Sequence, residues 1–321
     1  MDALTPCSCD GMTDSSDSSS ELDLAADFVA ALLLDDDSDD GDRGSAGACG
    51  ATAGGADRAI SEPASHKYRD AHRAFHFEGL PSGLQLEQRY LEVSETGGAV
   101  YDAGVVLSRW LSSHPTAVCS LPVLELGCGP GLTALTAAAL GASEVIATDM
   151  DESALKLARD NIEAHTEWLT QCPFHVCKPE LLRYRWGTAL PPKLRSWRDR
   201  AAGCAGGGVV LAADVLYDNV DSFAALLSTL SSLLLQSPAG SADDRSAPVA
   251  VRGGSTKDLM GSTCLLCFPR RRIDAEHAYV DALHTRFSVE RLDVSGCASG
   301  CDREMVLLRV QPLPNSRLGS E

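Results

Sequence analysis

Three glycines spaced two residues apart separate two apolar segments, and each of those segments carries an acidic residue. Gly127, Gly129 and Gly131 follow the apolar run that contains Glu125, and Asp149 ends the next apolar run, 18 residues after the last glycine. Alternate glycines let the backbone turn tightly and come close to a ligand. An acid about 20 residues past a glycine-rich turn is placed to accept the ribose hydroxyls of an adenosine-type cofactor. The spacing therefore predicts a nucleotide-type cofactor site.

The glycine spacing and Glu125 distinguish between the two main kinds of cofactor. A dinucleotide site has the pattern G-x-G-x-x-G, which seats a pyrophosphate at a helix N-terminus, whereas this sequence reads E-L-G-x-G-x-G. A carboxylate two residues before the first glycine suits an ammonium group rather than a diphosphate, by charge complementarity. S-adenosylmethionine carries a ribose and an amino-acid tail, so Glu125, the glycines and Asp149 all find partners on it. The alternative is a glycine-rich turn in an unrelated α/β protein.

A second polar pair lies in AADVLYD, at the end of the fourth predicted strand. Ligands of open α/β sheets bind beyond the carboxyl ends of the strands, so we expect Asp214 and Tyr217 at the same edge as Asp149. Methyl transfer is an in-line displacement at sulfonium, for which a protein mainly positions a neutral nucleophile. A carboxylate can hold the ammonium form of an amine, and a phenol can orient the amine or pass on its proton. We therefore predict that Asp214 and Tyr217 are catalytic, the alternative for Asp214 being a cap of the next helix.

The segments around these residues alternate between strand and helix patterns. Strands are predicted at VLEL, EVIATD, within FHVCKPELLRYRWG, at GVVLAADVLYD, STCLLCF, FSVERLDV and REMVLLRV. Segments such as DESALKLARDNIEAH, with apolar residues at helical spacing, separate them. Alternating strands and helices indicate a parallel sheet, and the terminal pair adds an antiparallel strand. The predicted fold is therefore α/β, a Rossmann-like seven-stranded, mostly parallel sheet with a C-terminal antiparallel strand pair.

Composition divides the chain into an acidic beginning and a globular remainder. The first 60 residues hold 14 acidic residues against two arginines, which is −12 of the formal net charge of −18. Such an acidic, low-complexity segment predicts disorder. We expect a disordered tail over 1–62 and a methyltransferase domain over 63–321. Stretches at about 187–207 and 236–261, rich in Gly and polar residues, are predicted as loop insertions.

The composition also bears on location and partners. The acidic, Ser-rich beginning is unlike a secretory signal or an Arg-rich transit peptide, and no apolar run reaches the roughly 20 residues that cross a bilayer. We expect a cytoplasmic protein, also found in the nucleus, that does not contact membranes. Because the chain lacks a basic footprint, we expect no nucleic-acid partner. We also expect a monomer.

Three consecutive arginines, residues 270–272, follow the fifth predicted strand. We expect them in a solvated turn or a substrate-docking patch. A place at the active edge of the sheet is the alternative.

Twelve cysteines raise the question of a metal or disulfide site. Cys264 and Cys267 form C-x-x-C within TCLLCF, and Cys297 and Cys301 form C-x-x-x-C. Residues three apart in a strand point to opposite faces, so Cys264 and Cys267 cannot share one ion. A reducing compartment disfavours disulfides. We therefore predict free, mostly buried thiols and no metal site.

With these residues in hand, the chain resembles methyltransferase family 16, the protein-lysine branch of the seven-β-strand methyltransferases. The resemblance rests on TGGAVYDAGVVLSRWL, ELGCGPGLT, RYRWG and AADVLYD, and it covers roughly residues 90–310. It implies methylation of a lysine side chain of a protein by S-adenosylmethionine. It also implies that the target lysine lies beside Asp214 and Tyr217. The implied cofactor-binding residues are Tyr101, Glu125, Gly127, Gly129, Gly131, Asp149, Trp186 and Asp214.

The resemblance leaves the substrate open. Tyr101 stands where the family usually has Trp, and Gly104 where it usually has Ala. Known members methylate elongation factors, chaperones and an ATPase, which implies a protein substrate of that kind. The alternatives are methylation of a protein histidine or a small-molecule amine, or a catalytically degenerate cofactor-binding interaction module.

Overall fold

The computed structural model describes residues 66–90, 97–216, 220–235, 261–271 and 273–313. The predicted acidic tail, almost all of the second predicted insertion, and Tyr217 lie outside these residues. None of the helices in the described part is long and apolar enough to span a membrane.

Strands and helices alternate along the described chain. The strands are β1 (His72–Phe75), β2 (Leu84–Glu87), β3 (Pro122–Leu126), β4 (Glu144–Asp149), β5 (Glu180–Arg183), β6 (Val209–Ala213), β7 (Thr263–Pro269), β8 (Phe287–Leu292) and β9 (Met305–Pro312). The α-helices are α1 (His66–Arg69), α2 (Asp102–Ser113), α3 (Leu132–Ala139), α4 (Glu152–Ala164), α5 (Thr166–Thr170), α6 (Pro192–Gly203), α7 (Val220–Leu234) and α8 (Ile273–His284).

Seven of these strands form one mixed sheet in the order β5-β4-β3-β6-β7-β9-β8. The five strands from β5 to β7 run parallel, and β9 lies antiparallel between β7 and β8. The predicted fold class is confirmed, including the C-terminal antiparallel pair. Because the strands on both sides of β3 run parallel to it, the carboxyl ends of β3, β4 and β6 meet at one edge.

The sheet separates two apolar layers. Successive residues of a strand point to opposite faces, so Val123 and Val145 pack in one cluster while Leu124 and Ile146 pack in the other. The first cluster includes α2, α3 and α4, and the second includes α6, α7 and α8. Cys267 belongs to the first cluster and Cys264 to the second, so the two thiols lie on opposite faces of β7, as predicted.

The first predicted loop insertion, 187–207, contains a helix, so the expectation of a loop there was wrong. Within α6, Leu194, Trp197 and Ala201 are fully buried. Their spacing of three and four residues puts them on one helix face, against the second cluster. The Pro, Arg and Gly residues of this stretch are typical of a loop, but the apolar spacing forms a buried helix face.

A small antiparallel hairpin, β1–β2, lies beside the main sheet. Asn161 of α4 is buried and joins the hairpin to the glycine turn: its Oδ1 accepts from the Glu87 N–H over 2.8 Å, and its Nδ2 donates to the Pro130 carbonyl over 3.0 Å. The hairpin therefore supports the turn at the end of β3.

Candidate active site

The glycine turn after β3 has the backbone that its sequence predicted. Gly127, Gly129 and Gly131 have φ angles of +74°, +47° and +90°, a region that residues with a Cβ rarely adopt. A Cβ on Gly127 would lie 3.1 Å from Val215 Cγ1 and 3.3 Å from Trp186 Cζ2. The turn thus needs glycine both for its conformation and for close approach to the neighbouring segments.

Glu125 is the next-to-last residue of β3, and its side chain reaches the first turn of α3. It is 2% exposed, and within the described residues its Oε2 has no hydrogen-bond partner. Burial raises the pKa of Glu125 to about 8, against hydrogen bonds from the Thr133 hydroxyl and the Ala134 backbone that lower it. A buried carboxylate with an unused oxygen fits a cationic ligand group, because leaving a polar group unpaired inside a protein is unfavourable.

Asp149, the last residue of β4, is held by the backbone on both sides. The Gly129 N–H donates to Oδ2 over 3.1 Å, and the Asp151 N–H donates to Oδ1 over 3.0 Å. Burial raises the pKa of Asp149, and these two hydrogen bonds lower it. Each carboxylate oxygen has lone pairs left, so a fixed carboxylate with two remaining acceptor positions lines the cavity beside the turn.

One cavity of about 620 Å³ brings most of the predicted residues together. Its size is that of a small-molecule site. The predicted residues that line it are Tyr101, Glu125, Gly127, Gly129, Asp149, Trp186 and Asp214. Gly131 is not among the residues that line this cavity. It is instead the N-cap residue of α3, and a Cβ added to it would lie 3.5 Å from Ala158 Cβ.

Flat and apolar side chains form the walls of this cavity. Trp186, from the segment after β5, is half-buried, and Tyr101 precedes the first turn of α2. The ring of Tyr101 packs against Tyr68 with the ring centroids 5.2 Å apart. Met150 also lines the cavity and is 61% exposed. The sequence reading missed Met150, although an apolar residue directly after the acid at a strand end was a usable signal.

Asp214, directly after β6, lines the same cavity. Its φ angle is +56°, one of two non-glycine residues with positive φ in the described part of the chain. Arg271 donates to Asp214 Oδ1 over 2.6 Å. Burial raises the pKa of Asp214, and the charge of Arg271 opposes that rise. Tyr217 lies outside the described residues.

The three arginines after β7 separate in the structure. Arg271 is exposed and lies at the active edge, where it contacts Asp214, so the structure supports the alternative placement for this residue. Arg270 instead pairs with Glu276 and Glu304. Residue 272 lies outside the described part of the chain.

Comparison with known sequences identifies the family. The sequence profile of methyltransferase family 16, described as lysine methyltransferase, matches residues 81–240. The chain belongs to this family. The matched stretch contains the glycine turn, Asp149 and Asp214.

Individual relatives match over part of their length. The protein N-terminal and lysine N-methyltransferase efm7 of Neurospora crassa is 28% identical over 149 residues, which is 44% of this chain and 50% of the relative. The protein N-lysine methyltransferase METTL21A of Mus musculus is 31% identical over 151 residues, 47% of this chain and 61% of the relative. The chain thus spans about half to three fifths of the length of these relatives.

Among solved structures, a Thermus thermophilus 16S rRNA methyltransferase shares 16% identity with a TM-score of 0.47. The match covers 76% of this chain and 51% of that protein, and it is too distant to bear on function.

Proposed function

We propose that the protein transfers a methyl group from S-adenosylmethionine to a lysine side chain of a protein substrate. The observation that carries this proposal is the unpaired, buried oxygen of Glu125 in a cavity that Asp149 also lines. A ligand that satisfies both carries a cation for Glu125 and hydrogen-bond donors, such as hydroxyl groups, for Asp149. Family membership supports the same conclusion.

The side chains present fit this cofactor. Glu125 would accept a hydrogen bond from its ammonium group, and Asp149 would accept from the ribose hydroxyls. Trp186 and Met150 offer flat or apolar surfaces for an adenine ring. Because the glycines have no side chains, the cofactor could lie close to the backbone of the turn. When bound, the cofactor supplies a methyl group on a positively charged sulfur, which a neutral amine can attack.

Asp214 supports the acceptor end of the reaction. A lysine arrives as an ammonium, and it must lose one proton to present a lone pair. A carboxylate that is 10% exposed and lines the cavity can hold the ammonium by charge and accept a hydrogen bond from it. Tyr217, by its resemblance to the family pattern, would orient the amine. The neutral amine would then form an N–C bond while the methyl–sulfur bond breaks, with the bonding electrons kept by the sulfur of the departing S-adenosylhomocysteine. The proton lost by the lysine would pass to solvent.

A protein N-terminal amine is the second candidate acceptor. The Neurospora relative is named for both protein N-terminal and lysine methylation, and the two acceptors are both primary amines.

We further propose that the methyltransferase domain spans 63–321 and acts as a monomer in the cytoplasm and nucleus. The tail and the stretch 236–261 are proposed as additions to that domain.

The test is transfer of tritiated methyl groups from S-adenosylmethionine to proteins of a lysate of the protein's own organism. We expect a labelled protein whose acid hydrolysate contains methylated lysine. At saturating S-adenosylmethionine, Asp214→Asn should lower transfer at least about a hundredfold, because it removes the charge that holds the acceptor. Asp199→Asn is the control, since Asp199 is 68% exposed and pairs only with its neighbour Arg198 among the described residues.

Label in histidine or in a small molecule would overturn the lysine proposal, and label at a protein N-terminus would favour the second candidate. A protein that binds no S-adenosylmethionine and labels nothing would be a degenerate interaction module. Full transfer by Asp214→Asn would remove the assigned role of Asp214.

A further inference from the structure

An arginine from the neighbouring strand holds Asp214 and its segment. Arg271 lies two residues after β7, and its guanidinium makes two hydrogen bonds. Its Nη2 donates to Asp214 Oδ1 over 2.6 Å, and its Nη1 donates to the Leu216 carbonyl over 2.7 Å. One planar group thus connects both ends of the segment 214–216. Arg271 lies outside the stretch 81–240 that matches the family profile.

This segment has a strained backbone that needs support. A non-glycine residue in the left-handed region, such as Asp214, costs of order 1–3 kcal/mol and persists only where its surroundings hold it. The Asp214 N–H donates to the Cys267 carbonyl of β7 over 2.8 Å. Cys267 of β7 therefore holds the segment through its backbone, and Arg271, just after the end of β7, holds it through its side chain.

Four groups from other parts of the fold face the Asp214 carboxylate. Burial raises the pKa of Asp214, the guanidinium of Arg271 is the largest influence that lowers it, Asp102 of α2 raises it, and Arg303 before β9 lowers it. The Cys267 thiol is the fourth group, and burial raises its pKa strongly, so it stays neutral. The ionised form of Asp214 therefore depends chiefly on Arg271.

We propose that Arg271 is a positioning residue for the acceptor end of the site, where it fixes the Asp214 carboxylate and the segment 214–216 in the orientation that receives an amine. This inference rests on the proposed methyl-transfer function. Arg271 is not among the residues that line the cavity, so it acts through Asp214. A lysine at this position would keep the charge, but it lacks the planar fork that reaches two acceptors at fixed geometry.

The first experiment uses the protein without any ligand. The ¹³C carboxyl signal of Asp214, identified by its loss in Asp214→Asn, is titrated in the wild type and in Arg271→Met. We expect the midpoint to rise by about one pH unit or more in Arg271→Met, because a contacting cation typically lowers a carboxyl pKa by about one to three units. Arg309→Gln is the matched control: Arg309 pairs with Glu290 over 2.8 Å on β8–β9, and its removal should leave the Asp214 midpoint unchanged.

The second experiment measures turnover of the labelled substrate against pH. Arg271→Met should lower kcat/KM at pH 7 by about ten- to a hundredfold, the usual size for a hydrogen bond to a charged group, and move the acid limb of the profile to higher pH. The cofactor Kd should stay within about twofold. Arg271→Lys should restore the acid limb, since it keeps the charge, and restore kcat only in part.

The outcomes separate the two proposals. An unchanged Asp214 midpoint in Arg271→Met, or wild-type turnover with an unmoved acid limb, overturns the role of Arg271. Equal loss of turnover and cofactor affinity in both Arg271 variants indicates a merely structural role and also overturns it. If the wild type methylates no lysine, the proposed function fails while the ligand-free titration still decides whether Arg271 controls Asp214.

Discussion

Glu125→Gln tests the cofactor end of the site most directly. Glu125 is 2% exposed, and burial raises its pKa to about 8. An ammonium group binds the ionised carboxylate, so below pH 8 the free protein must first release a proton, at about 1.4 kcal/mol for each pH unit. Affinity is therefore lost as the pH falls. We expect the Kd for S-adenosylmethionine to be about tenfold weaker at pH 7, and about a hundredfold weaker at pH 6, than the Kd of the fully ionised carboxylate.

Calorimetry in buffers with different ionisation enthalpies measures both the Kd and the protons released. At pH 7 about nine tenths of Glu125 is protonated, so binding should release about 0.9 proton. Glu125→Gln should abolish this proton release and the pH dependence below pH 8. At pH 8 the variant should bind about ten- to a hundredfold more weakly, since a hydrogen bond to a charged group is lost.

Two controls isolate the charge of Glu125. Glu144→Gln removes a partly exposed carboxylate at the start of β4, which pairs with Arg200 over 2.8 Å and does not line the cavity, and it should not change binding. Adenosine lacks the amino-acid tail, so its Kd should be flat between pH 6 and 8 and unaffected by Glu125→Gln. A wild-type Kd for S-adenosylmethionine that stays constant from pH 6 to 8, with no proton released, would refute the reasoning.

Three other substitutions test the turn, the ribose site and α6. Gly127→Ala places a Cβ 3.1 Å from Val215 Cγ1 at a residue with a positive φ. We therefore expect urea denaturation to give an unfolding free energy about 1–2 kcal/mol lower, and calorimetry to give weaker binding of the cofactor. Wild-type values for both would contradict this. Asp149→Ala should abolish binding of both S-adenosylmethionine and adenosine with an unchanged circular dichroism spectrum, and retained adenosine binding would remove its assignment as the ribose partner. Trp197→Ala should lower the unfolding free energy by about 3–5 kcal/mol in urea. Ser196→Ala, at an exposed position of α6, should change it by less than about 1 kcal/mol. Similar small effects of both would show that α6 adds little to the core.

The cofactor half of the cavity was predictable because its determinants are local. The alternate glycines can adopt the positive φ angles of the turn, and the apolar runs on each side are long enough to form β3 and β4. Once two parallel strands are adjacent, their carboxyl ends meet, which brings Glu125, the turn and Asp149 together. No long-range information was needed beyond the alternation of strands and helices.

The acceptor half and α6 were less predictable, for two different reasons. In α6 the apolar spacing of Leu194, Trp197 and Ala201 was present, but proline, arginine and glycine around it resemble a loop. The contact between Asp214 and Arg271 joins residues 57 apart in sequence, and it depends on how β6 and β7 align. Local patterns carry no signal for such a pairing.

The two carboxylates of the cavity differ in a way that suits two different kinds of ligand. Glu125 has a buried oxygen without a partner among the described residues, and its pKa is raised to about 8. A cation bound beside this oxygen would stabilise the ionised form of Glu125. Asp214 already has a cation in Arg271, which favours its ionised form before any acceptor arrives. A cofactor with an ammonium group binds more tightly to an unpaired buried carboxylate, because binding gives the carboxylate the partner that it lacks in the free protein. An acceptor amine that must leave after each transfer needs the weaker attraction of a carboxylate shared with an arginine. In the proposed reaction, low pH should therefore weaken cofactor binding more than it weakens binding of the acceptor.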